Sequence, residues 1–142
     1  MLVAESSIVT SAREEDIWRV WSDVSNWSQW DPDVRRCEMH GAFQRGAEAV
    51  LTPASGPSVN VEIIECIANQ VFVSRSALPC STFLVFEHRM NRTSEGLVVT
   101  HRVELTDGCM GFIFNFFLGD SIRAGLPVAL NNLSQKAVAI TK

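Results

Sequence analysis

The chain has 142 residues, 46% of them apolar and 20% charged, which is the composition of one globular domain, expected here to span 1–142 around one core. Twelve Lys and Arg stand against sixteen Asp and Glu, for a formal net charge of −4. With no basic run to gather phosphates, this excludes a nucleic-acid surface and argues against acidic partners.

The first residues, "MLVAESSIVT", carry no basic region ahead of an apolar stretch and no small-residue cleavage site, so they read as a first strand rather than a signal peptide. In "SARE", Ser11 and Glu14 have capping-box spacing, and a helix is predicted from about Ala12 to Val24. Ile17, Val20, Trp21 and Val24 recur at steps of three and four and form its buried face, which Trp18 broadens. Asn26 is placed to cap a second, very short helix. Pro32 drives Asp31 out of the helical region, so "WDPD" turns the chain, with the acid capping that turn.

From Val34 to Leu105 the reading is almost continuous antiparallel strand, broken at "HGAFQRG", "TPASGPS", "IANQ", "ALPCS" and "NRTSEG". Six strands fit, at roughly 34–39, 46–52, 58–66, 71–77, 81–90 and 96–105, and their short connections imply a meander. After Gly108 the period becomes helical. Phe114, Phe117, Leu118, Ile122, Leu126, Leu130, Leu133, Ala137 and Ile140 form one stripe, and Pro127 within it predicts a kink or short break near Arg123–Pro127. The most apolar run, "MGFIFNFFLG" at 110–119, is about half the length a bilayer needs and reads as buried helix, so no membrane span is expected. The layout is α+β: seven antiparallel strands curving around a long C-terminal helix, with two short helices after the first strand.

Cys37, Cys66, Cys80 and Cys109 are widely spaced, with no C-x-x-C pair and no His at ligand spacing. Free buried thiols are expected, and with them a reducing, cytoplasmic home. No internal repeat or low-complexity tract is present.

His88 and His101 lie on the last two strands, and the turn between them sets both on one face. Their alternating neighbours Phe86, Met90, Val99 and Val103 are apolar, which marks that face as inward. A neutral imidazole there could hydrogen-bond a ligand or act as general acid/base; it could equally be a cross-strand pair satisfied by its partner or by water. Two histidines without a third ligand make a poor zinc site, and neither a metal nor another cofactor is expected. No nucleophile triad or Gly-rich phosphate loop can be argued, and there is no tyrosine. Arg75 in "FVSRSALP" is the one strand arginine considered for a cavity role; alternation leaves its facing undecided, and a solvated guanidinium is the less expensive state. Phe112, Phe114, Phe116 and Phe117 are too many for one narrow stripe, so some face the core, a ligand or a second copy of the chain.

The segments "DIWRVWSDVSNWSQWDPDV", "FEHRM...GLVVTHRVEL" and "LPVALNNLSQKA", in this order, resemble the START-like superfamily, also called SRPBCC or helix-grip proteins, and within it the polyketide cyclase/dehydrase and lipid-transport group. The resemblance implies a long cavity between sheet and C-terminal helix that binds an apolar or aromatic molecule. It also places the W-x-x-W-D-P motif, here Trp27 and Trp30, near one mouth of that cavity as an aromatic lip, although both indoles could simply pack the core. On this reading the ligand-contacting residues are Trp27, Trp30, Phe86, His88, His101, Phe114, Phe117 and Ile122. Three functions follow: a carrier or sensor of a hydrophobic small molecule; an aromatase/cyclase or dehydratase with His88 or His101 transferring protons; or an interaction module that assists chaperones through the outer sheet face.

Overall fold

A computed structural model describes residues 1–106, 108 and 111–142. Strand β1 (Leu2–Thr10) is followed by helix α1 (Glu14–Ser22), a 3-10 helix (Val24–Gln29), strands β2 (Val34–His40), β3 (Glu48–Pro53), β4 (Val59–Ile67), β5 (Val71–Leu78), β6 (Thr82–Thr93) and β7 (Gly96–Thr106), and helix α2 (Gly111–Thr141). One antiparallel sheet has the order β1-β7-β6-β5-β4-β3-β2, so β2 to β7 form the expected meander and β1 closes on β7. Register shifts at Leu2/Ala4, Val34/Arg36 and Ile63/Glu65 each let one strand gain a residue on its neighbour, the kind of irregularity that bends and twists a sheet locally.

Helix α1 starts at Glu14, two residues later than the pattern suggested, and the Ser11–Glu14 capping box does not form. Arg13 holds the N-cap position with extended backbone and no side-chain cap. The reason lies one residue upstream of the box: Thr10 Oγ1 accepts the Ala12 N–H at 3.2 Å, turning the chain so that Ala12 is fully buried. Glu14, Glu15 and Asp16 then fill the first turn, where acids complement the helix dipole. Asp16 is itself fully buried and accepts from Thr141 Oγ1 at 2.7 Å and Arg13 Nε at 2.8 Å, fastening the start of α1 to the end of α2. Those two bonds hold its carboxyl below the usual carboxylate range. Asn26 does not cap the 3-10 helix. Asp23 stands at its N-cap, and Asn26 Nδ2 donates to the Asp23 carboxylate at 2.8 Å.

Helix α2 runs through Pro127 without the expected break. Its 31 residues are apolar enough, by length and composition, to cross a bilayer. One face of the helix lies on the concave side of the sheet, with Ile122, Leu126, Ala129, Leu130, Leu133 and Ala137 buried, while Phe112, Phe116, Phe117 and Val128 are exposed. Two bonds fasten α2 to the tryptophan segment: Asn132 Nδ2 donates to the Trp30 carbonyl at 3.1 Å, and Lys136 Nζ to Gln29 Oε1 at 2.6 Å.

The buried residues fall into two groups. The larger gathers Ile17, Trp21, Trp27, Trp30, Phe72, Leu97, Leu133 and Ala137 around α1 and the C-terminal half of α2. The smaller gathers Val3, Leu84, Val103, Leu105, Ile122 and Leu126 under the first half of α2. Cys37 is a buried free thiol, as expected, but Cys66 is only half-buried and Cys80 is exposed; Cys109 lies outside the described residues. Burial raises the Cys37 thiol to about 11, which makes it a poor nucleophile.

Candidate functional site

Between the two groups, the concave face of the sheet and α2 enclose a cavity of about 420 Å³. Its exposed lining residues, Ala54 to Pro57 and Ser121, mark the opening beside the β3–β4 turn. Trp27, Trp30, His101 and His88, all buried and linked in that order by ring contacts, form its inner end.

Seven of the eight residues singled out from sequence line this space: Trp27, Trp30, Phe86, His88, His101, Phe114 and Ile122. Phe117 does not. It is 72% exposed and packs edge-on against Phe116, one position off the row Phe114, Leu118, Ile122 and Leu126 that lines the cavity. Arg75 points outward, where it pairs with Glu62 at 3.1 Å and lies over the Phe83 ring. Alternation on β5 instead aims Phe72, Ser74 and Ser76 inward, opposite His88, Phe86 and Leu84. Ser74 and Ser76 also line the cavity, and the register to β6 rather than the local sequence sets their facing.

Trp27 and Trp30 are core walls rather than a lip. They are 6% and 3% exposed and meet edge-to-face at 70°, not stacked. Trp27 Nε1 donates to the Trp21 carbonyl at 2.8 Å, whereas Trp30 Nε1 is buried with no partner among the described residues.

His88 and His101 face each other directly across β6 and β7, with ring centroids 4.6 Å apart. His88 stacks on Phe72 at 3.9 Å, and its Nδ1 lies 3.3 Å from the Phe72 carbonyl. A carbonyl only accepts, so Nδ1 carries the proton and Nε2 holds a lone pair. His101 is the same tautomer, but its other nitrogen is the one already committed. Trp21 Nε1 donates to His101 Nε2 at 3.3 Å, and an indole only donates, so the neutral His101 carries its proton on Nδ1. The pair therefore offers one acceptor, His88 Nε2, and one donor, His101 Nδ1–H. Burial pushes the His88 imidazole down to about 3, and the same desolvation, reinforced by its neighbour's charge, holds His101 well below the ordinary histidine range. Both are neutral near pH 7.

Two carboxylates, Asp31 and Asp33, also line the cavity. Asp31 Oδ1 accepts the Asp33 N–H at 3.0 Å, which is the turn cap expected beside Pro32, and burial raises its carboxyl to about 6. Asp33 presses on α2. Ser121 Oγ donates to it at 3.3 Å, and a Cβ at Gly125 would fall 2.3 Å from Asp33 Oδ2, so only glycine permits this approach. Burial raises the Asp33 carboxyl as well.

Among the described residues, no cluster of three or more His, Cys, Asp or Glu is placed to hold a metal ion. An open depression of about 500 Å³ on the convex face includes Glu5, Glu87, Arg89, Arg102 and Glu104, whose ion pairs already satisfy one another and read as a solvated ladder.

No protein-family model and no curated protein matches the chain. Solved structures do. The di-domain ARO/CYC StfQ from the steffimycin biosynthetic pathway superposes with a TM-score of 0.78 at 14% identity, over 99% of this chain and 52% of StfQ, so the chain spans about half of that protein. MLL2253 from Mesorhizobium loti gives a TM-score of 0.75 at 13% identity over 98% of both chains. The KanY protein gives 0.73 at 16% identity over 97% of both. At these identities the likeness establishes the fold, an α+β helix-grip arrangement.

Proposed function

We propose that this chain binds a hydrophobic small molecule, lipid or polyketide-like, between sheet and α2, as a carrier or sensor. The observation that carries this reading is the cavity itself: about 420 Å³ of space with mainly apolar walls in the middle of the core. Protein interiors pack densely and leave few voids larger than a water molecule, and sites for drug-sized ligands occupy roughly 300–1,000 Å³. A ligand that buries about 250 Å² of apolar surface gains on the order of 6 kcal/mol before the costs of association.

A second reading, cyclisation or dehydration of a polyketide-like substrate, is supported by the lone pair that His88 holds at the cavity wall and by the fold shared with the ARO/CYC StfQ. It ranks below binding on a physical ground. A base held down to about 3 accepts a proton weakly at neutral pH, where general bases work best with values near the ambient one.

Native mass spectrometry of the freshly purified protein tests the proposal. The expected result is a mass excess of one small molecule, removed by organic extraction and restored by adding an apolar fluorophore. A protein that emerges empty and takes up no such probe would refute it, and conversion of the bound molecule to a new product would move the second reading ahead.

A further inference from the structure

We propose that the molecule bound in this cavity carries an uncharged hydroxyl group, phenolic or enolic, that docks at His88 and His101, and that the site excludes hydrophobic carboxylic acids. This deepens the binding reading and rests on it.

The inner end of the cavity has fixed and opposite hydrogen-bonding valences. The Phe72 carbonyl commits His88 Nδ1, leaving Nε2 to accept; Trp21 commits His101 Nε2, leaving Nδ1–H to donate. A hydroxyl both donates and accepts, so one such group satisfies both rings. A hydrocarbon satisfies neither. Trp30, whose Nε1–H is buried without a partner among the described residues, forms part of the same wall.

An acid fares worse than either. Among the described residues, no Lys or Arg lines the cavity, so a carboxylate at the inner end would be a buried charge without a counter-ion. Its entry is opposed as well, since the lining already carries Asp31 and Asp33. The imidazoles cannot readily supply the missing cation. Protonating His101 turns its Nε2 into a donor facing the Trp21 N–H, and charging both rings sets two like charges about 4.6 Å apart, centre to centre.

The test uses three probes on one skeleton, 2-naphthol, naphthalene and 2-naphthoate, titrated calorimetrically into the full chain at neutral pH, where the naphthol is uncharged. Binding by 2-naphthol is expected to exceed that by naphthalene by at least about threefold and that by 2-naphthoate by at least about tenfold. His88→Phe should bring naphthol down to the naphthalene value, and Asp31→Asn should strengthen naphthoate binding. Naphthoate binding as tightly as naphthol, or naphthol no better than naphthalene, would overturn the inference while leaving the binding proposal standing. If none of the three binds and native mass spectrometry also finds the protein empty, the binding proposal falls and the inference with it. The ranking on the unmodified chain decides the matter even where a variant folds poorly.

Discussion

Replacing His88 with phenylalanine should make the protein markedly less sensitive to mild acid. Phenylalanine supplies an aromatic ring in place of the imidazole that stacks on Phe72 at 3.9 Å, and removes the titrating nitrogens together with the bond to the Phe72 carbonyl. In the folded chain burial holds His88 down to about 3, against a usual value near 6.5 once unfolded. The unfolded chain therefore takes up the proton first, and the stability contributed by His88 is complete above about pH 6.5 and erodes as pH falls toward 3. Between about pH 7 and about pH 5 this costs roughly 2 kcal/mol from His88 alone. His101 acts in the same direction in both proteins, because its own burial also holds it well below the ordinary range. Asp31 acts in the opposite direction: its carboxyl is raised to about 6, so acidification over the same interval returns roughly 1.4 kcal/mol in both proteins and cancels from the comparison. Urea melts of the unmodified chain and His88→Phe at the two pH values should show the variant losing at least about 2 kcal/mol less stability on acidification. Equal losses would show that His88 is solvated or already charged in the folded state, and the neutral-pair argument would fail.

Trp21→Ala should cost about 3–5 kcal/mol in denaturant melts, since Trp21 is fully buried and packs against Phe72, His88 and His101; a loss below about 1 kcal/mol would refute that packing. Gly125→Ala should stabilise an Asp33→Ala background by up to about 1 kcal/mol through helix propensity, yet lose that gain in the unmodified chain, where the new methyl meets Asp33; strictly additive effects in the double-mutant cycle would exclude the contact. Phe117→Ser should change stability by less than about 0.5 kcal/mol and leave naphthol titrations unaltered; a clear loss of probe affinity would return Phe117 to the cavity wall.

The sheet was legible because β-strand alternation and short polar turns are local signals, and "NRTSEG" is short enough to pin β6 against β7. That register alone sets His88 opposite His101. The inward face of α1 was equally plain, with Ile17, Val20, Trp21 and Val24 all buried. What escaped depends on shape rather than period. Phe117 belongs to the same hydropathy stripe as Leu118, yet only Leu118 lines the cavity, and no local pattern records which part of a broad apolar stripe the curved sheet covers. Arg75 and its neighbours Ser74 and Ser76 alternate without an apolar contrast, so their facing emerged only from pairing with β6. Pro127 forfeits one helical hydrogen bond, a local cost that the packing of Ile122 to Ala137 against the sheet outweighs. The tautomers of the two imidazoles required knowing which partner each nitrogen meets, and those partners, Phe72 and Trp21, are distant in sequence.

The division of the buried residues into two groups makes the resting protein resemble an arch without its keystone. Side chains of both groups line the gap: Trp27, Trp30 and Val61 on one side, Leu84, Ile122 and Leu126 on the other. A guest molecule touching both would act as an additional core residue contributed from solution, and the first half of α2 would gain the backing that its own sequence does not provide. Occupancy would then be readable at a distance. At a free concentration about a hundredfold above the dissociation constant, the folded state gains roughly 2.7 kcal/mol, and amides along α2 from Gly119 to Leu126 should exchange more slowly with solvent.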